Sequence, residues 1–222
     1  DEYDPLSRYS GLPELPRVSR FHVLNQKASA RLYCREHGLN YEDINLVVVH
    51  MGGGTSVAAH KKGRLADGNN GLDGDGPFST DRTGGLPVGG LIDMCYSGKY
   101  THAEMRRKIK GQGGLMAYVH DTDVKAIEAK ALAGDEDCKK ALDAMIYQTA
   151  QEIGKKAVTL KGDVNAIILT GGIAHSKYVT DMIRDYVSSI APVYVYPGEH
   201  EMESLGEQSY EALIGKAEVF EL

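Results

Sequence analysis

One short segment of the chain combines the residue types that bind phosphate. Residues 50–56 read HMGGGTS, so three glycines are followed at once by two hydroxyl side chains. Glycine adopts positive φ without a steric penalty and lets backbone N–H groups approach a ligand closely. Consecutive N–H groups in such a turn form a concave anion site, to which hydroxyls add donors. The segment therefore predicts a phosphate-binding turn made by His50, Gly52, Gly53, Gly54, Thr55 and Ser56.

The residues on either side of the glycines indicate which kind of turn this is. An apolar run, residues 46–49, precedes them, and the β-type segment 57–61 follows. A Walker P-loop would need a lysine after the last glycine, and a dinucleotide-binding loop would need the glycines to open a helix. We therefore interpret the segment as the turn of a β-hairpin. The alternative is a tight hairpin that binds no ligand.

Two single residues elsewhere could take part in anion chemistry. Arg82 lies in a glycine-rich loop, residues 68–90, whose length is typical of a functional or disordered segment. An arginine there could clamp an anion through two parallel hydrogen bonds, whereas the common case is a solvated side chain. His22 lies near the predicted start of a helix, where a histidine is more often structural than catalytic.

A second glycine turn follows a second buried-type strand. Residues 165–170 form the strand, Gly171 and Gly172 come next, and a helix is predicted over 176–189. In such a unit a ligand lies beyond the carboxyl end of the strand, near the N-terminus of the helix. Taken alone, this pattern does not identify a ligand.

Hydrophobic periodicity, together with glycine and proline signals, predicts the elements that position these residues. Further strands are predicted over 43–49, 56–62, 64–67 and 192–196, and further helices over 17–37, 88–97, 102–110, 121–133, 135–160 and from the acidic stretch 199–203 to about 216. The first helix would place Phe21, Leu24, Ala28, Arg31 and Leu32 on one face. The long helix would bury Cys138, Leu142, Met145, Ile146, Thr149, Ile153 and Val158. Glu152 and Lys156 would form a solvated pair at i,i+4 on its outer face.

Composition limits the class of protein. The 222 residues carry a formal charge of −6, which gives no electrostatic footprint for nucleic acid. No apolar run reaches the roughly 20 residues that span a bilayer, and no secretory signal opens the sequence. We therefore expect neither a nucleic-acid nor a membrane partner. Cys34, Cys95 and Cys138 are far apart and lack metal-ligand spacing, so we expect reduced thiols in a cytoplasmic protein.

Five segments, in the same order, resemble the acetate and butyrate kinase family. Residues 50–56 are similar to the family's second phosphate motif, whose backbone N–H groups cradle the β- and γ-phosphates of ATP, and LTGGIAHS at 169–176 is similar to its adenosine motif. FHVLNQKA at 21–28, GDGPFSTDRTGGLPVGGL at 74–91 and YPGEHEMESL at 196–205 are closer to butyrate and branched-chain acid kinases than to acetate kinases. The resemblance extends over essentially the whole chain.

The resemblance implies an α/β fold of the actin-like ATPase class, in which ribonuclease-H-like domains flank an ATP-binding cleft. It implies a bridging segment over 1–40, a nucleotide-binding domain over 41–200 with a helical insertion at about 88–133, and a returning C-terminal helix over 201–222. The implied reaction is reversible phosphoryl transfer from ATP to butyrate or a branched-chain analogue, giving an acyl phosphate and ADP, with Mg²⁺ as cofactor. Members of the family are oligomers, so we expect a homo-oligomer.

The resemblance also implies roles for single residues. His22 matches the family's active-site histidine, which stabilises the transferring phosphoryl group by hydrogen bonding, and Arg82 matches its loop arginine. Gly171, Gly172 and Ile173 would pack against adenine and ribose.

Two carboxylates of the family act near the metal and the reacting acid. Asp1, with Asp4 as the alternative, matches the first, and Glu201, with Glu199 as the alternative, matches the second. Mg²⁺ bridging the phosphates would be held through water and one or two of these carboxylates.

The chain also departs from the family pattern. No first phosphate loop with its asparagine occurs, the segment 1–16 is rich in turn residues, and the sequence does not begin with methionine. We therefore expect a fragment that lacks the first domain and most acid-binding residues, so that it binds nucleotide but turns over poorly by itself. The alternatives are another actin-like kinase, for acetate, propionate or a sugar, and a non-catalytic nucleotide-binding module.

Overall fold

A five-stranded mixed sheet forms the centre of the computed structural model, which describes residues 4–199 and 201–215. Its strands are β1 (Asn45–Met51), β2 (Thr55–Lys61), β3 (Arg64–Gly68), β4 (Ala166–Gly171) and β5 (Val193–Pro197). They lie in the order β3-β2-β1-β4-β5. The pairs β3–β2 and β2–β1 are antiparallel, and the pairs β1–β4 and β4–β5 are parallel. All five predicted strands are confirmed, and their ends differ from the prediction by at most two residues.

Helices cover both faces of this sheet. Those within the described residues are α1 (Val23–His37), α2 (Val88–Tyr96), α3 (His102–Ile109), α4 (Gly114–Val119), α5 (Val124–Leu132), α6 (Glu136–Thr159), α7 (Lys177–Val187) and α8 (Glu201–Leu213). The sequence analysis predicts no helix at α4, because the glycines at 111, 113 and 114 indicate a break after α3. No helix in this described part of the chain is long and apolar enough to cross a bilayer.

Strand β1 is buried on both faces, which explains its continuous apolar sequence. Val47 and Val49 pack into a large core with α6 and α7, whereas Leu46 and Val48 pack into a smaller core with α1. Because side chains alternate along a strand, one short run of valine and leucine joins both layers.

The parallel pairing of β1 and β4 brings the two glycine turns to one edge of the sheet. His50 lies opposite Thr170 in the register, and each strand ends within one residue of this pair. Both turns therefore leave the carboxyl ends of adjacent parallel strands, the position at which open α/β sheets bind ligands.

Helix α1 begins later than predicted. Residues 17–21 are not helical, because they run beside the end of β3: Gly71 N donates to Arg20 O at 2.9 Å, and Ser19 Oγ donates to Gly68 O at 2.7 Å. His22 is therefore the N-cap residue of α1 and does not lie inside the helix.

The predicted apolar face of α1 is also wrong. Its buried positions are Asn25, Gln26, Ser29, Ala30, Tyr33 and Cys34, half of which are polar. This face lies against the ends of β1, β2 and β4, where the polar side chains find hydrogen-bond partners.

Helix α6 confirms most of its predicted apolar stripe, but two of its assignments are wrong. Val158 is 76% exposed. Lys156 and Glu152 are buried. Lys156 Nζ lies 2.8 Å from Asp67 Oδ2 of β3 and 3.3 Å from Glu152 Oε1, so these charges pair inside the protein. A charge cluster therefore joins α6 to the sheet where a solvated pair was expected.

Candidate active site

The first glycine turn is the tight connection between β1 and β2. Gly52 N donates to Gly54 O at 3.1 Å, which closes the turn, and Ser79 Oγ from the long loop donates to Gly53 O at 2.7 Å. The predicted hairpin is therefore confirmed. The hydroxyl-bearing residues that follow, Thr55 and Ser56, are both buried.

Two histidines stack beside this turn. The rings of His22 and His50 lie 3.8 Å apart between centroids and are inclined by 15°. His50 lies one residue before the end of β1, and His22 reaches the same place from the N-cap of α1. Residues that are far apart in the sequence thus form one paired unit at the predicted phosphate site.

His22 is a neutral imidazole near pH 7. Burial lowers its pKa below the usual value, the nearby Arg82 charge lowers this pKa further, and the Glu199 carboxylate partly opposes both effects. Its Nδ1 lies 3.0 Å from Ser56 Oγ. The ring is therefore held against β2 at one nitrogen, and it presents the other nitrogen elsewhere.

His50 is held still more firmly in the neutral form. Burial, with a smaller effect of His22, lowers its pKa to about 3. Asn25 Nδ2 lies 2.7 Å from His50 Nδ1, so Nδ1 accepts this hydrogen bond and the ring proton resides on Nε2. A Cβ on Gly52 would lie 3.3 Å from this Nε2, so the N–H group borders the glycine turn directly.

Arg82 lies on the other side of the same turn. Its Nη1 donates to Gly71 O at 2.7 Å, and a Cβ on Gly54 would lie 2.0 Å from this nitrogen. Its buried Nε has no hydrogen-bond partner among the described residues and lies 3.8 Å from Asp81 Oδ1. The glycine is thus needed for the guanidinium to approach the turn, and the arginine brings a positive charge to it.

The second glycine turn approaches the first closely. Gly171 has φ +88, and a Cβ there would lie 2.4 Å from Met51 O. A short 3₁₀ turn, Gly172–His175, follows, and Ser176 caps α7 by accepting from Val179 N at 3.0 Å.

Two adjoining cavities run along these turns. The first, of about 430 Å³, extends from Gly52 and Gly53 to Gly172 and Ile173. The second, of about 560 Å³, shares Gly172 and Ile173 and continues between α5 and the start of α7, past Ser176. Together they form a trough that begins at the first glycine turn and ends between two helices. Its shape can hold an extended ligand with an anionic end.

The predicted carboxylates are only partly described. Asp1 lies outside the described residues, and of Glu201 only the backbone, as the first residue of α8, is described. Asp4 accepts from Leu6 N at 2.9 Å, and Glu199 is exposed and close enough to His22 to act on its pKa. Among the described residues, no group of three or more His, Cys, Asp or Glu side chains is arranged to hold a metal ion.

Residues 21–216 match the family model described as the acetokinase family. The chain belongs to the acetokinase family. This member is 52% identical to Butyrate kinase 1 of Clostridium acetobutylicum over 216 residues, and 50% identical to a probable butyrate kinase of Clostridium botulinum over 222 residues. These matches cover 97% and 99% of this chain but only 61% and 62% of the two relatives. The acetokinase-family chain therefore spans about three fifths of their length.

Solved structures confirm the predicted fold class. Porphyromonas gingivalis acetate kinase superposes with a TM-score of 0.84 at 19% identity, over 94% of this chain and 60% of that one. Entamoeba histolytica acetate kinase gives a TM-score of 0.81 at 17% identity, over 94% and 63%. The acetokinase-family chain thus has the actin-like, ribonuclease-H-like α/β fold.

Several buried polar residues around the histidines were missed by sequence reasoning. They are Asn25 and Gln26 of α1, His60 of β2 and Thr170 of β4. Polar residues at positions 25, 26 and 29 of a helix that also begins at the candidate histidine were the available signal. Apolar periodicity gives such a face no weight, so the sequence analysis makes no prediction for it.

Proposed function

We propose that this chain is the nucleotide-binding part of a carboxylate kinase that transfers a phosphoryl group reversibly between ATP and a short-chain acid. The observation that carries the proposal is the stacked pair of His22 and His50 beside the glycine turn, with Arg82 on its other side. Neutral N–H donors and one fixed positive charge suit a group whose negative charge is spread over several oxygens.

In the proposed reaction, an oxygen of the acid attacks the γ-phosphorus of ATP, and the bond from that phosphorus to the bridging oxygen breaks. The products are an acyl phosphate and ADP. No protein nucleophile is needed, so the contribution of the chain is to orient the groups and to stabilise charge. His22 and Arg82 act on the transferring phosphoryl group, and residues 50–56 hold the phosphates through backbone N–H groups and hydroxyls.

The trough supports the assignment of the nucleotide. Its end at Gly52 and Gly53 would take the phosphates, and its part near Gly172 and Ile173 would take ribose and adenine, next to Gly171. Mg²⁺, when bound, neutralises phosphate charge. The described residues offer it only scattered carboxylates, which fits an ion held mainly by phosphates and water, with help from Asp1 or Asp4 and from Glu201 or Glu199.

Butyrate or a branched-chain analogue is the acid that we propose, because the relatives of about 50% identity are named butyrate kinases. Acetate, propionate and sugars are the competing acceptors, and a nucleotide-binding module without catalysis is the competing class. The proposal keeps the division into a bridging segment at 1–40, a nucleotide-binding domain at 41–200 and a returning helix at 201–222. It also keeps a cytoplasmic location, which the free cysteines support, and a homo-oligomer, which rests on analogy with the family.

Hydroxylamine trapping of acyl phosphate tests this function. We expect the complete gene product to form butyryl hydroxamate when ATP, Mg²⁺ and butyrate are present, and to form less with acetate. This 222-residue chain alone should bind ADP in calorimetry but form hydroxamate far more slowly. His22→Ala in the complete product should lower kcat about 100-fold, and His102→Ala, at an exposed site of α3, should not. ADP binding without hydroxamate from any acid would favour the non-catalytic module.

A further inference from the structure

We propose that Gln26, supported by His60 and Tyr41, is a positioning residue that holds His22 in the tautomer with its proton on Nε2. These side chains form one continuous line of hydrogen bonds from Tyr41, in the smaller core beside α1, to the candidate site. The inference about the tautomer rests on this geometry and on the neutral state of the buried rings, and it does not depend on what the chain does as an enzyme. Its consequence for catalysis rests on the proposed function.

The orientation of the Gln26 amide is fixed by a group that can only accept. Gln26 Nε2 lies 3.2 Å from the carbonyl oxygen of Ser56 and 3.0 Å from the Ser56 hydroxyl oxygen. A carbonyl oxygen has no proton to give, so the amide atom that faces it must be the nitrogen. Gln26 therefore donates to Ser56 and turns its own carbonyl oxygen, Oε1, the other way.

The next two residues support this orientation from behind. Gln26 Oε1 lies 3.1 Å from His60 Nε2, and Tyr41 Oη lies 2.6 Å from His60 Nδ1. His60 is fully buried, and burial lowers its pKa to about 3, so the ring is neutral. Burial raises the pKa of Tyr41, which keeps its hydroxyl proton. Tyr41 therefore donates to Nδ1, and His60 donates from Nε2 to Gln26.

The line ends at the Ser56 hydroxyl. Its oxygen accepts from Gln26, and the side chain is fully buried, so its own proton needs an acceptor inside the protein. Within the described part of the chain, the acceptor found for it is His22 Nδ1, at 3.0 Å. Ser56 therefore donates to Nδ1, and the neutral ring of His22 carries its proton on Nε2.

The tautomer decides what His22 can do for a phosphate. With the proton on Nε2, that nitrogen donates to phosphate oxygens, as His50 Nε2 can do beside Gly52. With the proton on Nδ1, His22 Nε2 would present a lone pair to the same negative oxygens and repel them. Gln26 would thus contribute to catalysis without touching the phosphate.

Histidine nitrogen spectroscopy on the 222-residue chain tests the tautomer directly. In long-range ¹H–¹⁵N spectra near neutral pH, we expect the Nδ1 of His22 to resonate as an unprotonated nitrogen and its Nε2 as a protonated one. A protonated Nδ1 in the neutral ring would overturn the proposal, whatever the chain does as an enzyme.

The variant Gln26→Met tests the role of this line of hydrogen bonds. It keeps the approximate volume of the side chain and frees the Ser56 hydroxyl, so the two His22 nitrogens should move toward the average of both tautomers. Unchanged nitrogen shifts in a folded Gln26→Met chain would contradict the proposal. Tyr33→Phe, at another buried position of α1, is the matched control for helix packing and should leave these shifts unchanged.

An activity measurement separates this inference from the proposed function. In the complete gene product, Gln26→Met should lower kcat for hydroxamate formation about tenfold while KM for ATP changes little. Tyr33→Phe should change neither kcat nor KM. A higher KM for ATP with an unchanged kcat would contradict the positioning role. If no protein forms hydroxamate, the proposed function fails, and the spectroscopic result still decides the tautomer.

Discussion

At the scale of single residues, His50 and His60 are the groups whose protonation is most restricted by the fold. Burial lowers the pKa of each ring to about 3, and a smaller effect comes from His22 for the first and from Lys27 for the second. Both rings use their lone pair at Nδ1 to accept a hydrogen bond. A proton added there would break that bond and would place a charge in the interior.

We expect these histidines to make the chain lose stability in mild acid. The unfolded chain takes up a proton at each histidine near pH 6.5, whereas the folded chain takes it up only near pH 3. Their effect on stability is therefore absent above pH 6.5 and becomes destabilising as the pH falls below it. Each histidine should lower the free energy of unfolding by about 2 kcal/mol between pH 7.5 and 5.0. Urea unfolding at these two pH values measures the loss.

The variant His60→Gln assigns the effect. Glutamine does not titrate, so the loss between pH 7.5 and 5.0 should be smaller by about 2 kcal/mol than in the parent chain. His102→Gln, at an exposed position of α3, should keep the full loss. An equal loss in all three proteins would show that His60 titrates alike in the folded and unfolded chain.

Part of this residue-scale arrangement was predictable. The resemblance to the kinase family assigned His22, His50 and Arg82 to one site, and the structure brings the three together. Asn25 and Gln26 were missed, because what buries them is the contact of α1 with the strand ends. Local periodicity contains no information about a polar partner that lies distant in the sequence.

At the scale of elements, Gly171 sets the distance between the two turns. Its φ of +88 is unfavourable for an L-residue, and a Cβ would lie 2.4 Å from Met51 O of β1. Gly171→Ala should lower the free energy of unfolding by at least about 1–3 kcal/mol through backbone strain. It should also weaken ADP binding, because the ends of β1 and β4 must separate.

Gly172 provides the matched comparison for this prediction. A Cβ on Gly172 would meet no atom within 4 Å. Gly172→Ala should therefore leave the free energy of unfolding in urea almost unchanged. If both alanine variants were equally stable, the close approach of the two strand ends would not constrain the fold.

The cluster that joins α6 to β3 should contribute strongly to stability. Lys156 is 1% exposed and contacts the carboxylates of Asp67 and Glu152. Lys156→Met would leave the buried Asp67 carboxylate without its cation, whereas Glu152 would keep its pair with Lys155, so we expect a loss of about 3–5 kcal/mol in the free energy of unfolding. Lys140→Met, which breaks an exposed pair with Glu136 on the same helix, should cost less than about 1 kcal/mol.

A double variant distinguishes the charge from simple packing. Lys156→Met with Asp67→Leu removes the cation and one of its carboxylates together, so its loss should be smaller than the sum of the two single losses. Additive losses would mean that the contacts are independent. No sequence pattern indicates this cluster, because a Glu–Lys pair at i,i+4 looks the same on a buried and on a solvated face.

At the scale of the whole molecule, the order of elements was largely predictable, because it depends on local signals. Buried strands such as β1 and β4 are short β-branched runs bounded by glycine, and α6 has a clear apolar stripe. The layers of the fold were implied by the resemblance to a kinase family, and the solved structures confirm them. A surface that would contact another chain has no such local signal in the sequence.

Helix α2 forms the most apolar exposed surface of the helical insertion. None of its residues is buried, and Val88, Ile92, Met94 and Tyr96 are all exposed. An apolar cavity of about 850 Å³ lies beside it, bordered by Leu91, Met94 and Tyr118. Monomeric proteins seldom expose continuous apolar surface of this kind, so we expect a second copy of the chain to cover it.

The variant Ile92→Glu tests this arrangement. Light scattering coupled to size-exclusion chromatography should find a dimer for the parent chain and a monomer for Ile92→Glu, because the new carboxylate would be desolvated at the contact. Val158→Glu adds the same charge at a 76% exposed position of α6 and should remain dimeric. A parent chain that is monomeric, or an Ile92→Glu chain that still pairs, would exclude α2 as the contact between copies.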